Sequence, residues 1–262
     1  MEINKILQGD VLDKFPEIPD NFVHLIVTSP PYNVGMQYGT DDRKNYSLYL
    51  DFMKNVLTHC YRVLIPGGRI CINLPSSILQ STKSRMAYLS IDILMIMREI
   101  GFLDREFVTW IKMPRGELSG NNVTSWGSWM SASCPYLRDA SELVIIMDKE
   151  QRKRTDKAGP NDISKEEFLR FTTNCWYIQP NPDRREHPAP FPEELPYRCI
   201  KLYSWPGDVV LDPFMGSGTT AVTCVKNNRN YIGIELSEKF CYVAFKNIEQ
   251  ARMPLLKLME DK

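Results

Sequence analysis

Val209-Val210-Leu211-Asp212-Pro213-Phe214-Met215-Gly216-Ser217-Gly218-Thr219-Thr220 opens on a short apolar run and closes on small residues. The pattern predicts a buried strand, Asp208 to Leu211, that passes through a Gly216 to Thr220 loop into a helix. Glycines let the backbone turn tightly there and let a ligand approach it closely. Asn230 to Ile234 predicts the following strand, so the segment reads as a strand-helix-strand crossover with Glu235 at its end. An acidic residue roughly 20 positions beyond a glycine loop is placed to accept hydrogen bonds from both ribose hydroxyls of an adenosine. The loop is not GxGxxG and lacks a Lys-Ser/Thr ending, which turns the reading away from dinucleotides and ATP. A tight turn followed by a surface glutamate fits the same residues, so the loop needs a second signal.

Toward the N-terminus, Asn21 to Val27 is a largely apolar run stopped by Ser29-Pro30-Pro31, the pattern of a buried strand whose end is fixed by proline. Tyr46 to Leu64 carries apolar residues at helical spacing, Pro66-Gly67-Gly68 makes a turn, and Arg69 to Leu74 predicts a strand. A helix over Ile91 to Ile100 with Gly101 as its stop, then a strand over Phe107 to Ile111, repeats the alternation. From Lys112 to about Glu186 regularity weakens around one strand candidate, Leu143 to Met147, which suggests an insertion with its own task.

Thr28-Ser29-Pro30-Pro31-Tyr32 therefore emerges at the carboxyl end of a buried strand, where open α/β sheets bind ligands. The exocyclic amino nitrogen of cytosine or adenine is a poor nucleophile, because its lone pair is delocalised into the ring. Acceptors placed on its two hydrogens help it pyramidalise and attack a methyl group. The Ser29 oxygen and the Pro30 carbonyl can supply them, proline holds the backbone stiffly, and Tyr32 offers a stacking face. A paired base cannot be reached in line, so the target has to be flipped out of the duplex. A proline-rich turn without chemistry is the bland alternative.

TSPPY followed far downstream by DPFMGSGTT resembles the beta class of DNA amino-methyltransferases, in which the catalytic motif precedes the cofactor motif. The resemblance covers almost the whole chain and implies an α/β, Rossmann-like methyltransferase fold. That fold is circularly permuted, with a mainly parallel sheet, helices on both faces and an inserted target-recognition region. It implies S-adenosyl-L-methionine as cofactor, with Asp10 on its adenine and Glu235 on its ribose. Asp212, Pro213, Phe214, Gly216, Ser217, Gly218 and Thr219 would form its cradle, with Phe191, in His187 to Pro192, at the methionine end. Ser29, Pro30, Pro31 and Tyr32 become the catalytic set, and Trp110 and Lys112 match a strand flanking the target-base pocket. A Gly-Asp pair after a strand is otherwise an ordinary turn, and a strand-end tryptophan is otherwise core.

Within the resemblance, residues 1–112 form a catalytic half, 113–186 a DNA target-recognition region and 187–262 a cofactor-binding half of one domain. Double-stranded DNA is the implied partner. Trp126 and Trp129 lie among small polar residues that suit base stacking, and Arg138, Arg152, Lys153 and Arg154 are candidate phosphate contacts. A solvated loop is the plain alternative for the basic run. Serine before Pro-Pro-Tyr is usual for enzymes acting on cytosine N4 and aspartate for those acting on adenine N6, so cytosine is the expected target and adenine the alternative. An RNA methyltransferase and a catalytically silent DNA-binding regulator are the more distant readings. A restriction-modification or self-marking setting follows from the resemblance, with a separate restriction endonuclease and a homodimer as further expected partners.

The chain has 262 residues, and its 32 basic side chains balance 32 acidic ones, so attraction to a phosphate backbone must come from local clusters. Its seven cysteines are scattered and form no CxxC pair, which suits buried free thiols in a reducing compartment, and the direct transfer that the resemblance implies calls for no metal and no cysteine nucleophile. No stretch approaches the roughly 18 apolar residues of a membrane span. A cytoplasmic location without membrane partners is the expectation.

Overall fold

The computed structural model describes residues 1–34, 45–80, 85–112, 127–135, 137, 140–156, 159–180 and 192–260. In chain order its elements are β1 (Lys5–Gln8), α1 (Val11–Lys14), β2 (Val23–Thr28), α2 (Tyr46–Val63), β3 (Leu64–Leu74), β4 (Ile78–Gln80), β5 (Arg85–Ala87), α3 (Leu89–Ile100) and β6 (Phe102–Ile111). There follow β7 (Ser141–Lys149), α4 (Lys165–Phe171), β8 (Cys175–Tyr177), α5 (Glu194–Tyr203), β9 (Val209–Asp212), α6 (Thr219–Lys226), β10 (Asn230–Glu235) and α7 (Glu238–Glu260). The strands other than the β4–β5 hairpin form one eight-stranded sheet in the order β1-β10-β9-β2-β3-β7-β6-β8. Every pairing within it is parallel except the two made by β7.

Alternation of side chains along the strands divides the core into two layers. Ile70, Ile72 and Leu74 of β3, with Leu211 of β9 and Ile234 of β10, meet Met53, Leu57 and Cys60 of α2 and Ile93 and Met97 of α3 on one face. Cys71, Val210 and Tyr231 point the other way, onto Cys199 and Ile200 of α5, Cys224 of α6 and Ala244 and Ile248 of α7. A sheet buried on both faces needs strands that are mostly apolar, which is why β2, β9 and the second half of β3 read as largely apolar runs.

The permuted order is visible in the register. β1, near the start of the chain, pairs with β10, with Gln8 opposite Glu235, and so completes the unit formed by the last strands. β9 pairs with β2, with Leu211 opposite Ile26, which brings the glycine loop and Ser29-Pro30-Pro31-Tyr32 to the same edge of the sheet. The region 113–186 contributes to the body of the sheet: β7 lies between β3 and β6, and β8 forms the edge. Among the described residues no helix is long and apolar enough to cross a membrane. All seven cysteines are free, and Cys60, Cys71, Cys199 and Cys224 are buried as expected, whereas Cys134 is exposed.

Candidate active site

The carboxyl ends of β1, β10, β9 and β2 carry the predicted residues side by side. Glu235 closes β10, and its carboxylate accepts the Gly216 amide at 2.8 Å and the Ser237 amide at 2.8 Å. Burial is the largest influence on this carboxyl and pushes its pKa up, against the pull of those amides. A carboxylate has about four lone-pair positions, so two vicinal hydroxyls can be added to two amides. Asp10 follows β1 and caps α1, accepting the Leu12 amide at 2.9 Å, and it remains exposed. Phe214 is half-buried, with its ring 6.3 Å from that of Phe52. Glu235, Asp10 and an aromatic face around a glycine turn provide the acceptors and the apolar wall that an adenosine moiety requires.

Two predicted cradle residues also hold the fold together around the loop. Asp212 is 2% exposed, and its carboxylate takes the Thr28 hydroxyl at 2.8 Å, the Thr220 hydroxyl at 2.7 Å and the Phe214 amide at 3.1 Å. It is a clamp joining the end of β2, the end of β9 and the first turn of α6. Burial, opposed by those hydrogen bonds, pushes its pKa up to about 6. Gly218 has φ +85°, and a Cβ added there would lie 2.9 Å from the Ala244 Cβ, so it allows α7 to pack on the loop. Pro213 is buried, Gly216 turns with φ 54°, and Ser217 and Thr219 are half-buried at the start of α6.

Ser29 and Tyr32 are half-buried beyond β2, and their hydroxyls are 2.8 Å apart. Pro30 is buried, and the Pro31 carbonyl accepts the Tyr49 hydroxyl at 2.9 Å, which fixes the turn to α2. The Tyr32 hydroxyl also meets Asn73 Nδ2 at 2.9 Å and Glu142 Oε2 at 3.2 Å. Glu142, at the start of β7, accepts from Asn73 Nδ2 at 2.5 Å and forms an ion pair with Lys112. Asn73 and Glu142 are 1% and 8% exposed, which makes this a polar cluster built into the sheet edge. Neither was predicted; the available signal was a lone polar residue inside the apolar run Ile70-Cys71-Ile72-Asn73-Leu74 and an acidic one at the head of Leu143-Val144-Ile145.

Of the expected DNA contacts, Lys112 joins that cluster, with its ammonium 5.2 Å from the Trp110 ring centre. Trp110 itself is core, 4% exposed, with its indole N–H on the Ile178 carbonyl at 2.8 Å. Trp129 is 65% exposed. Trp126, Arg138 and Phe191 lie outside the described residues.

The basic run is corrected by the topology. β7 runs against its neighbours, with Arg69 opposite Asp148 and Leu74 opposite Leu143, so residues after Lys149 leave from the edge opposite Ser29. Arg152 and Lys153 are exposed on that far edge. Arg154 is 6% exposed, paired with Asp156 and Asp208 and stacked 4.3 Å from the Trp205 ring centre. It is a structural cation, because its guanidinium is used inside the protein.

A family model described as DNA methylase, of the N6/N4 type, matches residues 23–246. The chain is 37% identical over 161 residues to the type II methyltransferase M.MjaVI of Methanocaldococcus jannaschii, covering 61% of this chain and 78% of that protein. It is 29% identical over 248 residues to the type II methyltransferase M.HpaI of Haemophilus parainfluenzae, covering 94% and 74%. Among solved structures, TTHA0409 of Thermus thermophilus in complex with S-adenosyl-L-methionine is similar with a TM-score of 0.73 at 26% identity, covering 94% of this chain and 95% of that one.

Proposed function

The chain belongs to the N6/N4 DNA methylase family, and on that premise we propose that it methylates the exocyclic N4 of a cytosine flipped out of duplex DNA. Its methyl donor is S-adenosyl-L-methionine. The observation that carries the reading is the shared sheet edge: Ser29 follows β2 and Glu235 ends β10, on either side of β9, and Asp212 ties the two halves together through Thr28 and Thr220.

The bound cofactor supplies a methyl group already activated on a sulfonium. The residues have to hold it, to raise the nucleophilicity of the amine, and to keep the two in line. Glu235 takes the ribose hydroxyls, Asp10 the adenine amino group, and Phe214 an apolar wall. Ser29 Oγ and the Pro30 carbonyl accept one amino hydrogen each, which draws the nitrogen lone pair out of conjugation toward the methyl carbon. The amine sheds a proton after attack, so no strong base is required. Tyr32 stacks on the flipped base, and the ammonium of Lys112 lies at the margin of the same cluster. Trp129, on an exposed loop, is a further base contact in this reading.

Serine as the acceptor favours cytosine N4 over adenine N6. Kinship with type II methyltransferases supports a place beside a separate restriction endonuclease. The test is transfer of labelled methyl from S-adenosyl-L-methionine to mixed duplex DNA and, in parallel, to RNA, followed by nucleoside digestion and mass spectrometry. N4-methylcytosine is the expected product. N6-methyladenine overturns the use of Ser29 as a target indicator, and label confined to RNA, or to neither, overturns the DNA reading itself.

A further inference from the structure

We propose that Glu142, acting through Tyr32, fixes the Ser29 hydroxyl as a pure hydrogen-bond acceptor toward the target amino group. This positioning role rests on the reading of Ser29 given above and holds for either amino target.

The direction of each hydrogen follows from which groups can donate. Glu142 is a carboxylate paired with Lys112 and has only acceptors to offer. Its Oε2 is 2.5 Å from Asn73 Nδ2, which fixes the amide with its NH2 toward the carboxylate. The second amide hydrogen then points to the Tyr32 oxygen at 2.9 Å. Tyr32 has a single hydrogen. Among the described residues the acceptors in reach of it are the Glu142 carboxylate at 3.2 Å and the Asn73 main-chain carbonyl at 3.5 Å, and the nearer, charged one prevails. With that hydrogen committed and Asn73 donating, the Ser29 to Tyr32 contact at 2.8 Å runs from serine to tyrosine. The Ser29 hydrogen is thereby turned away from the site, and what the oxygen presents elsewhere is lone pairs.

The orientation matters because a serine hydroxyl left to rotate can donate as well as accept. A hydrogen pointed at the amine would bond the lone pair that has to attack the methyl group, and would slow the reaction it is meant to assist. A chain of polar side chains ending in a buried carboxylate removes that option before substrate arrives.

The experiment measures single-turnover methyl transfer to duplex DNA for the wild type, Glu142→Gln, Tyr32→Phe and the double variant, with cofactor affinity by calorimetry and the unfolding midpoint as companions. Glutamine keeps the shape but can donate to Tyr32 and reverse the chain; phenylalanine keeps the ring and removes the linking oxygen. Each single substitution is expected to slow transfer about 10- to 100-fold, with cofactor affinity unchanged, and the double variant is expected to be no slower than the slower single one. Multiplicative losses in the double variant, or a full rate in Tyr32→Phe, overturn the proposal. Should Glu142→Gln fail to fold once Lys112 loses its carboxylate, Tyr32→Phe alone decides by the same criterion, since it leaves that ion pair intact. A wild type that leaves DNA unmethylated overturns the parent reading instead, and so is told apart from failure of the relay.

Discussion

Replacing Asp212 with asparagine should alter how stability depends on pH, in a direction set by the environment of that carboxyl. Asp212 is 2% exposed, and burial outweighs the two threonine hydroxyls and the Phe214 amide, raising its pKa from 3.8 to about 6. Between those values the folded protein binds a proton that the unfolded chain has released, so stability falls as pH rises through the window and is level above it. One pH unit of displacement corresponds to about 1.4 kcal/mol, which makes the loss about 3 kcal/mol across the window. Asparagine preserves an acceptor for Thr28 and Phe214 and does not ionise, so its own cost is a constant offset. Urea unfolding of both proteins without cofactor, from about pH 3.5 to about pH 7, should show the wild type losing about 3 kcal/mol relative to Asp212→Asn. A difference that is flat, or that grows in favour of the wild type with rising pH, would refute the reasoning, because the hydrogen bonds would then outweigh burial.

Three further outcomes follow from geometry. Glu235→Ala removes an acceptor used twice by backbone amides and should weaken cofactor binding about 10- to 100-fold by calorimetry; unchanged affinity rejects the ribose assignment. Gly218→Ala combines a positive φ, costing about 1–2 kcal/mol, with a Cβ driven against Ala244, costing about 1–3 kcal/mol, and a denaturation midpoint equal to that of the wild type would contradict both. Arg154→Ala strands Asp208 and should destabilise by about 3–5 kcal/mol while leaving the DNA affinity of the folded protein intact. The reverse result, normal stability with weakened DNA binding, would restore Arg154 as a phosphate contact.

Much of the frame was legible because the sheet is buried on both sides. β2, β9 and β10 appear in the sequence as largely apolar runs, and α2 as a clear helical stripe, all within two residues of their observed bounds. α5 was hidden by Pro196, which sits in its first turn, where the missing amide hydrogen costs nothing. β7 was visible as a strand but not as a partner of β3, since local pattern carries no information on which strand a strand pairs with. The same limit explains the site. Ser29, Tyr32 and Glu235 were found through motifs, whereas Asn73 and Glu142 belong to the cluster only because β3 and β7 lie side by side. Arg154 reads as part of a solvated basic run until the fold brings Asp208 to it.

The pairing of β1 with β10 also sets a timetable for synthesis. Asn4 reaches Asn230 across 226 positions of sequence, so β1 waits for β10 to be synthesised before it has a neighbour in the sheet. At roughly 5–20 residues per second, that wait lasts on the order of 10–45 seconds. During it, Asp10 has no Glu235 beside it, and the site proposed for the cofactor is incomplete. The two carboxylates are therefore brought together only once β10 has been made.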